Sequence, residues 1–215
     1  MKYTKYFLPL GMISAVFYFI HVFLGQILWK EYNPITTDIS SLTADGAPNA
    51  SLLRVFAAIY GICFLMFTLS MAVKAFKDYH QVTRIGYVMF FLMALATVIG
   101  YNLFPLTGDK TVMNFQNMMH ILVTVIVVFT TILSLFLLAF GYLRKEKLKS
   151  LGRACLAAAI LITVFGATNP LGMSLKLNIL GLSERLVIFT LQLFVFFLSF
   201  LYTFHIKVFF KKQGT

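Results

Sequence analysis

Apolar residues fill six stretches of this chain, and short polar segments separate them. The stretches cover about residues 6–29, 52–73, 85–104, 114–142, 154–168 and 184–207. A helix needs about 20 apolar residues to cross the hydrocarbon core of a bilayer, and most of the stretches reach that length. Inside such a core every backbone amide must be bonded internally, which a helix does segment by segment. A β-barrel would show alternating segments of about ten residues instead. The pattern therefore predicts an all-α fold: a single domain of six transmembrane helices with short connections and no internal repeat. Turn signals punctuate it at Asn33-Pro34, Asp45-Gly46 and Pro48-Asn49. Pro105 should end the third helix, and Asn169-Pro170 should stop the fifth. Ser183 should cap the sixth, with Glu184 in its first turn. Lys2 and Lys5 before an apolar run resemble a signal peptide, but the run is long enough to span and lacks an A-x-A site. It is expected to be a retained first helix.

Polar residues inside the stretches recur at helical spacing. Ser14, Tyr18, His21 and Gly25 share one face, as do Asn117, His120, Thr124, Thr131 and Ser134. Arg185, Phe189, Gln192, Ser199 and Thr203 form a third stripe, and Arg54, Ala58, Gly61, Thr68 and Ala72 a fourth. Such faces should turn away from lipid. Packing explains the small and hydroxylated members, because they let membrane helices approach closely. His21 and His120 are different: ionisable groups at membrane depth are costly and mark functional sites. The competing explanation is a neutral imidazole bonded to the next helix.

Charge fixes the expected orientation. Only 12% of the residues are charged, yet the net charge is +11 and the pI about 9.7. With the N-terminus inside, the inner segments hold 13 of the 18 lysines and arginines, and the outer segments hold Lys30, Arg54, Lys110, Lys176 and Arg185. Positive residues gather on the cytoplasmic side of membrane proteins, so both termini are expected to be cytoplasmic. The cations flank apolar spans rather than forming a continuous patch, which argues for lipid headgroups as partners and against nucleic acid. Cys63 and Cys155 lie in apolar stretches and suggest neither a disulfide framework nor a zinc motif.

On this topology the outer segments bring Asp38, Ser40, Ser41, Asp45, Arg54, Asp109, Asn117 and Arg185 above His21 and His120. Three chemistries need such parts. A serine hydrolase or acyltransferase needs a hydroxyl, a base and an orienting acid. Ser41 (or Ser40), His120, and Asp109 or Asp38 supply the types, although no G-x-S-x-G is present. A metal hydrolase needs three protein ligands and an open position. His21, His120 and one of Asp38, Asp45 or Asp109 are the residues available, so a divalent metal is admissible, though no motif demands a cofactor. Third, Arg54 and Arg185 could clamp a phosphate headgroup with no reaction at all. The bland alternative pairs Arg54 with Asp45 and Arg185 with Glu184. Asn33, Asn117 and His21 complete the expected substrate-binding set. The leading expectation is an outward-facing, membrane-embedded hydrolase or transferase acting on a lipid or lipid-linked substrate. The alternative is a non-enzymatic lipid-binding, transport or signalling protein.

The segment NPITTDISSLTADGAPNASLLR, then FPLTGD, then Met118-Met119-His120, resembles the bacterial membrane family called domain of unknown function 998. The resemblance covers most of the chain and implies a six-helix protein of a bacterial cytoplasmic membrane. By residue matching it points to Asn33, Pro34, Ser41, Asp109 and His120. The aspartate departs from the family's shorter F-P-x-D spacing, because Thr107-Gly108 intervenes. The order of motifs is also faintly similar to the eukaryotic Frag1-related membrane family, at the level of fold.

Overall fold

A computed structural model describes residues 4–108 and 112–211. The six expected apolar stretches form six long helices: α1 (Lys5–Leu28), α2 (Ala50–Asp78), α3 (Gln81–Leu103), α4 (Phe115–Lys145), α5 (Lys149–Ser174) and α6 (Leu180–Phe204). All six are long and apolar enough to cross a membrane. Each packs on its sequence neighbours, and α6 returns to pack on α1, so the bundle is a closed up-and-down ring. One end carries the long segment between α1 and α2 and is called the loop end here. The other, the basic end, carries the α2–α3 and α4–α5 turns.

Both the inside and the outside of the ring are apolar. Phe64, Phe67 and Met71 of α2 are buried, as are Tyr87, Phe90 and Met93 of α3 and Val195 and Leu198 of α6. Ile62, Phe129, Leu193 and Phe204 project outward. A helix that is hydrophobic all round belongs in lipid. The polar stripes of α1, α4 and α6 turn inward as expected. Several of their hydroxyls bond their own helix: Ser14 to the Gly11 carbonyl, Thr131 to Val127 and Ser134 to Thr131. Packing accounts for these residues. Ser199 instead crosses to α1, where its Oγ donates to the Leu8 carbonyl and accepts from the Met12 amide.

Three local expectations need correction. On α2, Arg54 and Ala58 are exposed; the buried face there is Leu53, Tyr60, Phe64 and Phe67. The fifth helix does not stop at Asn169-Pro170 but runs through Pro170 to Ser174. Proline costs a helix the amide it would give to the fourth residue back. Here that residue is Gly166, and the helix absorbs the loss near its end. Ser183 is not the cap of α6, which starts at Leu180, and its hydroxyl donates to the Leu180 carbonyl.

Near the basic end, four tyrosine hydroxyls form a chain that the sequence did not single out. Tyr79 bonds Tyr202 at 2.7 Å, Tyr202 bonds Tyr142 at 2.6 Å, and Tyr142 bonds Tyr87 at 2.6 Å. The chain ties α2, α3, α4 and α6 together across the ring. Tyr142→Phe removes the hydroxyl shared by two of these bonds. It should destabilise the protein by about 1–2 kcal/mol, read as a lower thermal midpoint in detergent, whereas Tyr6→Phe, exposed on α1, should not.

Candidate functional site

The segment between α1 and α2 folds over the loop end and touches α1, α2 and α6 through a short 3-10 turn, Ile39–Thr43. Ile39 and Leu42 are buried apolar plugs. The polar backbone around them would be stranded without partners, and α6 supplies them. Arg185 donates through Nη1 to the carbonyls of Thr37 (3.1 Å) and Gly181 (2.9 Å), and through Nη2 to the Tyr32 hydroxyl (2.6 Å). Tyr32 in turn donates to the Asp38 carbonyl at 2.8 Å, with the Thr37 carbonyl at 3.1 Å. Glu184 accepts from the Ile39 amide, and the Leu182 amide donates to the Ile35 carbonyl at 2.9 Å. Gly181 allows this approach: a Cβ there would run into the carbonyl oxygens of Thr37 and Pro34.

The other side of the segment is fastened to α2 and to the chain between α3 and α4. Arg54 donates to the Thr43 carbonyl and pairs with Asp45. The Asp45 amide donates to the Leu106 carbonyl at 3.0 Å. Asn117 at the start of α4 holds Thr107, accepting from its amide (2.9 Å) and donating to its carbonyl (3.1 Å).

These fastenings bring His120 to the 3-10 turn. His120 is 3% exposed; its Nδ1 lies 2.9 Å from the Phe104 carbonyl oxygen and its Nε2 lies 3.2 Å from Ser40 Oγ. A carbonyl oxygen only accepts, so Nδ1 carries the proton of the neutral ring. Nε2 is then the acceptor, and Ser40 donates to it. The Tyr101 ring lies against the imidazole at a centroid distance of 4.9 Å. Tyr101 follows a wide π-helical turn, Ala96–Gly100, of the kind that re-aims side chains in membrane helices. Ser41 does not meet His120: its Oγ donates to Asp38 Oδ1 at 2.7 Å.

The remaining expected residues divide. Asp38 is buried and serves Ser41. Arg185 does not pair with Glu184, and both its Nη atoms go to the loop and to its own helix, so it is a fastening rather than a headgroup clamp. Arg54 takes the bland pairing with Asp45. Asn33 makes a local turn by accepting from the Ile35 amide at 2.9 Å. Asp109 lies outside the described residues. Among the described residues no three His, Cys, Asp or Glu side chains gather for a metal, so neither Asp38 nor Asp45 completes a set with His21 and His120. His21 is 5% exposed, and neither ring nitrogen has a hydrogen-bond partner among the described residues. Tyr18 packs against it at 5.5 Å and against Tyr60 at 4.9 Å. Gln192 donates to the Tyr60 hydroxyl at 3.1 Å, while its own Oε1 is buried and unpartnered.

The chain belongs to the family described as "Protein of unknown function (DUF998)", which matches residues 12–201. The match begins within α1 and ends within α6, so it takes in the capping segment and both partners of the Ser40–His120 pair. No curated protein and no solved structure matches the chain. Ser40 as the partner of His120, the Phe104 carbonyl, Tyr32 and Tyr101 are the participants that sequence reading left unranked.

Burial pushes the Tyr32 hydroxyl up from 10.0 to about 12, with the Arg185 bond pulling partly the other way. A hydroxyl that ionises higher in the docked segment than in the free chain supports docking below the lower value and loses that support as pH rises toward the higher one. Hydrogen exchange in residues 32–43 should therefore rise between about pH 10 and 12, and Tyr32→Phe should flatten that step. Arg185→Ala should raise exchange in the same residues at neutral pH, corresponding to a loss of about 2 kcal/mol in docking.

Proposed function

We propose that this protein is a membrane-embedded hydrolase or acyltransferase acting on an ester of a lipid or lipid-linked substrate. In this reading the chain sits in a bacterial cytoplasmic membrane, and the lysine and arginine asymmetry turns the loop end outward. The observation that carries it is the hydrogen-bonded run from Ser40 Oγ through His120 to the Phe104 carbonyl. Ser40 Oγ attacks the carbonyl carbon of the ester while His120 Nε2 takes its proton. The imidazolium gives that proton to the departing alkoxide, which leaves as an alcohol, and an acyl group remains on Ser40. Water or an acceptor hydroxyl then loses a proton to Nε2, attacks the acyl carbon and frees Ser40, which recovers the proton. The Phe104 carbonyl keeps Nε2 unprotonated and aimed at Ser40 between turnovers.

The test is labelling of the purified full chain with a fluorophosphonate, which bonds to an activated serine and expels fluoride. Wild type and Ser41→Ala should both label. Ser40→Ala should abolish labelling, and His120→Gln should slow it by about a hundredfold. Wild type that stays unlabelled, or Ser40→Ala that labels normally, would refute the reading. A second, non-catalytic reading as a lipid-binding or transport protein draws on the unpartnered His21 and Gln192, which a polar ligand would satisfy. It predicts no labelling, together with a co-purifying lipid that His21→Phe displaces.

A further inference from the structure

The basic end encloses a cavity of about 560 Å³. Its walls are the start of α1, the last turns of α2 and α6, and Phe210 of the short helix Lys207–Phe210. His205 adopts a left-handed backbone (φ 48°) that ends α6 and turns the chain back. This brings the Phe210 ring against Tyr202 at 5.0 Å and stacks it on His205 at 5.0 Å.

The chemistry of the lining is one-sided. Lys5, Lys74, Lys77 and His205 face Asp78, the one acid among the described lining residues. Lys74 is already engaged, bonding Asp78 at 2.6 Å and lying 5.8 Å from the centre of the Tyr202 ring. Lys5 and Lys77 make no ion pair among the described residues. Tyr79 and Tyr202 present a bonded pair of hydroxyls, and Thr203 Oγ1 is buried with no partner among the described residues. Leu8, Val73 and Phe210 supply apolar walls.

Membrane orientation alone asks only that lysines flank the spans, and lysines near helix C-termini also complement the dipole. Both needs are met by side chains spread into solvent, as exposed Lys147 and Lys149 are at this same end. Lys5 and Lys77 are exposed as well, yet together with half-buried Lys74 they line one cavity, where their mutual repulsion favours an anion among them. The unpartnered Thr203 hydroxyl asks for an acceptor as well. An ion carrying oxygens on several sides meets both demands, and the apolar walls suit an attached chain.

We propose that this cavity binds a phosphate group, carried by an anionic phospholipid of the adjoining leaflet or by a free phosphate compound. Lys5 and Lys77 neutralise it, and Thr203 donates to one of its oxygens. The site stands apart from the Ser40–His120 reading, because it lies at the opposite end of the ring and requires no reaction.

Delipidated full chain would be titrated in neutral detergent with phosphatidylglycerol, with uncharged diacylglycerol and with inorganic phosphate, and bound molecules counted by native mass spectrometry. One phosphatidylglycerol should bind in preference to diacylglycerol. Lys5→Ala with Lys77→Ala should weaken it by roughly tenfold or more. Arg153→Ala, which removes a charge at the same end from an exposed position outside the cavity, should leave it unchanged. Thr203→Val, which leaves the charge alone, should weaken it too and keeps the test readable should the double variant misfold. If inorganic phosphate binds and shows the same sensitivities while phosphatidylglycerol does not, the phosphate site stands with a free compound as its source. Equal binding by wild type and the double variant, or equal weakening by Arg153→Ala, overturns the proposal.

Discussion

A loop laid over the end of a membrane bundle must find partners for its backbone, and Arg185 ties that loop to α6. Its guanidinium is buried and reaches two carbonyls and the Tyr32 hydroxyl. A buried cation would be expensive left bare; hydrogen-bonded by a fork of donors to fixed acceptors, it becomes an anchor. Other contacts of the capping segment lie close by. Leu42 meets the flank of Gly25, Glu184 receives the Ile39 amide, and Ser40 arrives at His120. The anchor joins its own helix at Gly181 to a loop 148 residues away at Thr37.

The two ends of the ring are built on opposite principles. At the loop end polar groups are consumed internally: Asn117 on Thr107, Arg54 on Asp45, Arg185 on the cap. At the basic end the tyrosine hydroxyls are consumed in their chain, whereas Lys5 and Lys77 are left to the cavity. Between the ends, the inward polar atoms without partners are few, and those of His21 and Gln192 sit around Tyr18 and Tyr60. Such atoms cost free energy in a lipid-surrounded core unless water or a ligand meets them. That makes their shared location informative in a way that a hydroxyl bonded to its own helix, such as Thr68, is not.

Six helices were legible in the sequence because hydrophobic length is an additive property of a segment. The inward faces of α1, α4 and α6 were legible for the same reason, since periodicity is read one helix at a time. The stripe proposed for α2 failed at Arg54 and Ala58, where the loop rather than another helix sets what is covered. Pro170 failed as a stop because losing one bond near a helix end is cheaper than the penalty assigned to a proline in the interior. The roles of Arg185 and Tyr32 depend on contacts across more than 140 residues, and no spacing rule reaches that far. The tyrosine chain had a faint signal: Tyr79, Tyr87, Tyr142 and Tyr202 all fall near the basic ends of their helices.

The choice between Ser40 and Ser41 follows from the turn they occupy. A 3-10 turn has three residues per turn, so residue 41 stands over residue 38 and residue 40 points a third of a turn away. Ser41 therefore closes on Asp38, and Ser40 is free to face α4. The acceptor on the far side of His120 has an equally local origin. Phe104 follows the last residue of α3, so its carbonyl is one of those a helix end leaves without an amide. An orphan carbonyl can fix the tautomer of an imidazole, but it carries only a dipole. Its contribution to the His120–Ser40 contact is orientation: with the proton held on Nδ1, Nε2 is left to accept.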